Sequence, residues 1–322
     1  MSYLTPTKYR IKLVFYIKKL AVSILHFIEN SRGKFITIRI RPVKASEVKA
    51  NMGIAVVNPK TAILIRGEII KPNDFTLETV RTYKKLHPQV PIVVSTWNDE
   101  EPAYLEKIYQ AGAEVVLVRK PSIAGPFHLN FQITTTIAGI EKAAELGVEY
   151  ILNTRNDQRI YAPKIIDHLH NLTRFYPPEN SQEQNIFLKN RIIALGTEAL
   201  GSQLYHLSDE FLFGHIKDMT AYWRIDLLTK PLSFGGPENH LFTTFLKTIG
   251  REVKFTMEDT LEDFARYCII IDPSHLDLYW RKHQRHLEYR SLRFQNKKYP
   301  SIFFLDWLKL YYDFKNREQI KK

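Results

Sequence analysis

Four short apolar runs, separated by stretches of helical periodicity, constrain this chain more than any other feature. The runs are Ala62-Ile63-Leu64-Ile65, Pro91-Ile92-Val93-Val94-Ser95-Thr96, Val115-Val116-Leu117-Val118 and Tyr150-Ile151-Leu152-Asn153-Thr154. Each has the length of a buried strand and is bounded by turn or polar residues. Helical patterns fill the gaps. One covers 74–87, with Asp74 as N-cap and Pro88 as stop; others cover 101–111, closed by Gly112, and 130–146, closed by Gly147. Strands spaced about 25–35 residues apart with helices between them predict parallel pairing in an open α/β sheet.

Open sheets of this kind bind ligands beyond the carboxyl ends of their strands. Three such ends carry distinctive chemistry: Arg66-Gly67, Thr96-Trp97-Asn98-Asp99, and Arg155-Asn156-Asp157-Gln158-Arg159. No glycine-rich loop follows the first strand, and both the dinucleotide fingerprint and the P-loop are missing from the sequence. That argues against a dehydrogenase or a P-loop kinase. It leaves enzymes that hold a nucleoside diphosphate through a metal or through arginines. Asp157 sits directly after an apolar strand, where a carboxylate can hold Mg²⁺ or Mn²⁺ while phosphate oxygens complete the shell. Arg155 and Arg159 flank it and can grip phosphate bidentately. A salt-bridge cluster in a surface loop would give the same spacing.

The charge lies at the ends. Residues 1–50 carry +9 and residues 279–322 carry +8 of a net +12, so 51–278 is acidic. The implied division is a basic amphipathic segment over 1–50, a catalytic domain over 51–278 and a basic aromatic helical segment over 279–322. Residues 8–30 read as a helix with Leu13, Ile17, Leu20, Ala21, Ile24 and Ile28 along one face; Lys8, Lys12 and Lys19 lie on another. Such a helix suits an anionic lipid surface; the alternative, a stripe packed on the enzyme core or in an oligomer, is the second choice. The C-terminal segment combines Tyr279-Trp280-Arg281-Lys282, then Arg285, Arg290, Arg293, Lys297 and Lys298, with Trp307 and Tyr311-Tyr312. Aromatic rings among cations fit a membrane interface. They can also stack on single-stranded nucleic acid, but no nucleic-acid-binding module accompanies them, so no nucleic-acid partner is expected. Because no run of about 18 apolar residues occurs, a multi-span membrane protein is excluded. The single Cys268 rules out an intrachain disulfide framework and fits a reducing compartment. No signal peptide is evident, and the expected location is cytoplasmic, peripheral to the inner membrane.

A set of ordered blocks then becomes specific. Gly67, Phe75-Thr76-Leu77-Glu78-Thr79, Val94-Ser95-Thr96-Trp97, Thr154-Arg155-Asn156-Asp157-Gln158-Arg159-Ile160, Leu207-Ser208-Asp209 with Phe213-Gly214, and Pro237-Glu238 occur in that sequence. Over roughly residues 55–275 the chain resembles the WavE lipopolysaccharide-synthesis family. The resemblance implies a GT-A-type, Rossmann-like α/β fold with an open mixed sheet flanked by helices. It also implies a glycosyltransferase of bacterial surface polysaccharide, with a nucleotide sugar as donor and a lipid-linked or polysaccharide acceptor. Donor-binding positions would be Arg66, Gly67, Thr96, Trp97, Gln132, Arg155, Asn156, Asp157 and Arg159, with Asp157 also holding a divalent cation. Asn156-Asp157 departs from the paired aspartates usual in GT-A enzymes, and a lone carboxylate binds a divalent ion more weakly. Phe131, beside Gln132, stands where similar sequences often carry an arginine.

Inverting transfer needs a carboxylate near the acceptor hydroxyl. Gly235-Gly236-Pro237-Glu238 presents Glu238 at a loop–helix junction, although Glu is favoured in any first helical turn. Asp209 is the second choice; it could instead bind acceptor or cap a helix. One of His206, His215 and His240 could complete a metal shell, and Trp97-Asn98-Asp99 could lie near the donor base or simply form a loop. Two other readings stay open: a nucleotidyl or phosphoryl transferase, and a membrane-surface scaffold whose site has decayed.

Overall fold

The computed structural model describes residues 16, 19–28, 30, 31, 40–49, 60–178, 188–196, 201–284 and 300–320. The chain divides into two compact units, Met1–Arg41 and Pro42–Lys322. In the first, residues 19–28 are helical and Leu20, Ile24 and Phe27 are exposed. Leu13, Ile17, Lys8 and Lys12 lie outside the described residues, as do Arg285, Arg290, Arg293, Lys297 and Lys298.

The second unit is built on the expected alternation: β1 (Thr61–Arg66), α1 (Phe75–Leu86), β2 (Ile92–Trp97), α2 (Pro102–Gln110), β3 (Glu114–Val118), α3 (Leu129–Glu145) and β4 (Tyr150–Arg155). All six residues of β1 are buried, as they must be in a strand with both faces covered. On one face α3 approaches so closely that a Cβ on Gly139 would overlap Leu64 Cδ1. Asp74 holds the N-cap position of α1 without a side-chain capping bond. Its carboxylate accepts from the Tyr104 hydroxyl at 3.0 Å instead.

Beyond β4 come β5 (Gln158–Ile160), α4 (Ile165–Phe175), β6 (Ile192–Leu195), β7 (Phe211–His215), α5 (Ile216–Trp223), α6 (Pro237–Thr248), α7 (Met257–Tyr267), β8 (Cys268–Ile271), the single turn α8 (Pro273–Leu276), β9 (Leu278–Trp280) and α9 (Phe304–Ile320). The seven-stranded sheet runs β3-β2-β1-β4-β7-β6-β8. Strands β1 to β4 are parallel, β7 is antiparallel to both β4 and β6, and β6 and β8 are parallel. This is the open mixed α/β sheet, flanked by helices, that the family resemblance implied. The reversal of β7 matters for function. Residues leading into an antiparallel strand lie at the edge where its parallel neighbours end, so Asp209 and Glu210 join the carboxyl ends of β1 and β4.

The boundary expected at 278/279 falls inside β9, which pairs antiparallel with β5 through Gln158↔Trp280 and Ile160↔Leu278. The aromatic residues expected at a membrane interface are largely core. Trp307 is fully buried and donates its indole N–H to the Phe264 carbonyl at 3.1 Å. Its ring packs on Tyr176 and stacks on Tyr311. The spacing of 307, 311 and 314 is helical and points one stripe at α7. Leu305, Tyr312 and Ile320 remain exposed on α9. Among the described residues, no helix is long and apolar enough to cross a membrane.

Candidate active site

The carboxyl edge of the sheet opens into a cavity of about 930 Å³, large enough to enclose most of a small-molecule ligand. Strand order sets its chemistry. Trp97 at the end of β2 packs edge-on against Phe131, with ring centroids 5.4 Å apart. Lys120 Nζ lies 5.5 Å from the Trp97 centroid and 5.1 Å from that of Phe131. Next along the edge are Arg66 and Arg155, which are register partners on β1 and β4, so their backbones are about 4.8 Å apart. Asp209 and Glu210 follow, leading into β7, with Glu238 brought alongside by α6. An aromatic end, a cationic middle and an acidic end therefore succeed one another in one cavity.

Arg66 is 4% exposed. Its Nη1 donates to Gln132 Oε1 at 2.9 Å and its Nη2 to the Asp209 carbonyl at 2.8 Å. The guanidinium lies 4.7 Å from the Trp223 ring centroid. Its Nε is buried with no hydrogen-bond partner. Burial, opposed in part by Asp209 and reinforced by neighbouring Arg155, lowers the Arg66 pKa to about 10. A buried cation whose charge is only partly answered thus stands in the cavity wall.

Arg155 also lines the cavity, and it closes a two-point pair with Asp157: Nε to Oδ1 at 2.9 Å, Nη2 to Oδ2 at 3.0 Å. Asp157 is 8% exposed and does not reach the cavity lining. Burial alone would raise its pKa, but the Arg155 charge and hydrogen bonds hold it below the ordinary aspartate value. In front of this pair, Gly67 (φ +108°) lies against Asn156, and a Cβ there would stand 3.3 Å from Asn156 Oδ1.

At the acidic end, Pro237 and Glu238 open α6, as expected. Burial and the nearby Asp209 carboxylate raise the Glu238 pKa to about 7. Glu238 Oε2 is 3.8 Å from His206 Nε2. Asp209 is 2% exposed, and its Oδ2 has no hydrogen-bond partner.

Of the positions singled out from sequence, Arg66, Gly67, Trp97, Gln132, Arg155, Asn156, Asp209 and Glu238 all line this cavity. Thr96, Asp157 and Arg159 do not. Thr96 Oγ1 donates to Glu100 at 3.2 Å. Arg159 is 1% exposed, because its guanidinium is consumed by Thr79 Oγ1 and the carbonyls of Val43 and Phe75, at 2.6–2.9 Å. It ties β5 to α1 rather than facing a phosphate. His206 reaches the cavity lining, whereas His215 and His240 do not. Sequence reasoning missed Lys120, Glu210 and Lys282. Lys120 lies two residues past β3, so the strand-end rule could have found it. Lys282 arrives through the β5–β9 pairing, which has no local signal.

The family profile for WavE lipopolysaccharide synthesis matches residues 65–257, which contains Arg66, Trp97, Lys120, Arg155, Asp209, Glu210 and Glu238 of the cavity lining but not Lys282. The chain belongs to the WavE lipopolysaccharide-synthesis family. No curated protein matches it. Among solved structures it is similar to a cytidylyltransferase from Leptospira borgpetersenii serovar Hardjo-bovis (14% identity, TM-score 0.37, 81% of this chain and 96% of that one). It is also similar to a glycosyltransferase involved in glycosylation of the major capsid of PBCV-1 (16%, 0.35, 66% and 83%). A third is core-mannan synthase A from Aspergillus fumigatus in an Mn/GDP form (6%, 0.33, 76% and 81%).

A divalent cation on Asp157 was the expectation for this WavE chain, and the residues present do not fit one there. Both Asp157 oxygens are engaged by Arg155, whose own charge would oppose a cation. Among the described residues, no three His, Cys, Asp or Glu side chains are grouped to hold a metal ion.

Proposed function

We propose that this WavE protein is an inverting glycosyltransferase that moves a sugar from a nucleotide-sugar donor to a lipid-linked or polysaccharide acceptor of bacterial lipopolysaccharide. One observation carries the reading: a single cavity orders an aromatic end, two arginines and a carboxylate end along the strand edge. That succession suits a nucleobase, a diphosphate and a reacting sugar laid side by side.

In this reading Trp97 and Phe131 flank the base, while Arg66 and Arg155 take the diphosphate. Glu238 accepts the proton of the acceptor hydroxyl as its oxygen bonds to the anomeric carbon. The bond from that carbon to the diphosphate oxygen breaks on the opposite face, so configuration inverts. A base with a pKa near 7 matches this task, since a substantial fraction is ionised near neutral pH and that form is still basic enough to take a proton. Asp209, with one oxygen unpartnered, is suited to orient the acceptor or the transferred sugar. The exposed Leu20, Ile24 and Phe27 beside Lys19 support docking of the N-terminal helix on the anionic inner leaflet.

The test is incubation with a panel of nucleotide sugars and short lipopolysaccharide acceptors. Release of nucleoside diphosphate with a glycosylated product, lost in Glu238→Gln, is the expected result. Release of pyrophosphate with a nucleotide-linked product would instead mark a nucleotidyl transferase. Neither product from any donor would sink the reading.

A further inference from the structure

The geometry points to a diphosphate cradle that needs no divalent cation, formed by Arg66 and Arg155, with Asp157 as the residue that positions Arg155. The inference rests on the donor site proposed above and deepens it.

A diphosphate leaving group requires roughly two compensating positive charges, which a Mg²⁺ or Mn²⁺ ion or two guanidiniums can supply. Two guanidiniums stand here as register partners on neighbouring parallel strands. Placing like charges this close in a buried setting is unfavourable unless anions join them; Asp157 answers Arg155, whereas Asp209 and Glu210 offset the burial of Arg66 only in part. The strain is visible in Arg66, which burial and Arg155 together make a weaker base. Arg66 is also incomplete. Its Nη1 and Nη2 are satisfied by protein, but Nε is buried and unpartnered on a side chain that lines the cavity. Buried donors without partners are rare enough that each calls for a ligand or a functional reason, and a phosphate in the cavity supplies the counter-charge, with Nε within reach of it after a small rotation of the side chain.

Asp157 has the opposite role from a metal ligand. It lies behind Arg155, outside the cavity lining, and engages Nε and Nη2 together. That two-point pairing fixes the plane of the guanidinium and leaves its remaining edge for the cavity. Lys282, delivered by β9, lies in the same lining and adds charge.

The test is calorimetric binding of uridine, cytidine and guanosine diphosphates and of inorganic pyrophosphate to the full chain. Each is titrated once with EDTA present and once with Mn²⁺. The expected result is at least one nucleoside diphosphate whose affinity changes by less than about threefold between the two conditions, under 1 kcal/mol. Arg66→Gln should weaken that binding by about tenfold or more. Arg155→Gln alone would strand Asp157 in the interior, so the paired variant Arg155→Gln/Asp157→Asn is measured beside it, and it too should lose about tenfold. Asp157→Asn, which keeps an acceptor oxygen, should lose less than the paired variant. Binding that appears only with Mn²⁺, or paired-variant affinity equal to wild type, overturns the cradle while leaving the donor site standing. No binding of any probe under either condition overturns both.

Discussion

Asp157 meets Arg155 through both carboxylate oxygens, at 2.9 and 3.0 Å, two residues apart at the end of one strand. The pair is buried on the Asp157 side and open to the cavity on the Arg155 side. Removing the carboxylate alone leaves a partly desolvated cation. Asp157→Ala should therefore destabilise the protein by about 3 kcal/mol, read as a lower urea midpoint at unchanged slope. The Asp157 pKa is depressed in the fold, so its contribution is present above the unfolded carboxyl value. It is lost as pH falls through the folded value. An Asp157→Ala curve should converge on wild type at strongly acid pH; a constant gap at all pH values would deny the pair any stabilising role.

Arg159 sits two residues further on and does something different. Its partners are Thr79 Oγ1 and the Phe75 carbonyl on α1, and the Val43 carbonyl in the segment that precedes β1. Arg159→Ala strips the buried Phe75 carbonyl and the part-buried Val43 carbonyl of a charged donor, and a loss of about 2–4 kcal/mol is expected. Nucleotide affinity of the folded fraction should stay within about twofold of wild type. A large affinity loss at unchanged stability would return Arg159 to the donor site.

Gly67 is the turn that brings β1's end to Asn156. Its φ of +108° is strained for any L side chain, and a Cβ would press on Asn156. Gly67→Ala should cost about 1–3 kcal/mol and displace the Asn156 amide from the cavity wall. Thermal unfolding measures the first, and weakened nucleotide binding the second. Unchanged Tm would mean that the loop relaxes freely.

Which of these roles the sequence could reveal depends on how local their cause is. β1 to β4 follow from short apolar runs, and α1 to α3 from helical period closed by Pro88, Gly112 and Gly147; each signal lies inside the element it describes. Arg66, Trp97 and Arg155 were legible because the strand-end rule needs only the strand. The reversed β7 and the β5–β9 pair join residues far apart in the chain, so the meeting of Asp209 with Arg66 and the arrival of Lys282 left no local trace. Asp157 was misread for a related reason. Its position after a strand is the same whether it faces phosphate or turns back onto Arg155, and only the side-chain direction decides. Trp307 and Tyr311 carried an interfacial composition, yet their helical spacing already described one buried stripe.

Glu238 offers the sharpest pH test. Its carboxyl rises from an ordinary 4.5 to about 7 through burial and the Asp209 charge. Between those values the folded state binds more protons than the unfolded chain, so this group makes stability fall as pH rises across the interval. Asp218, raised to about 6, and Asp263, raised to about 7, give slopes of the same sign. The informative quantity is therefore the difference between wild type and Glu238→Gln, which should grow in favour of the variant from about pH 5 to about pH 7 and then level off. Catalysis should move oppositely. The base must be ionised, so kcat/KM should climb with pH through about 7, and Glu238→Gln should lose about 10²–10⁴-fold while still binding donor. A pH profile flat from 5 to 8 in wild type, or a Gln variant within about tenfold of wild type, would move the base to another carboxylate, with Asp209 next to be tested by the same substitution.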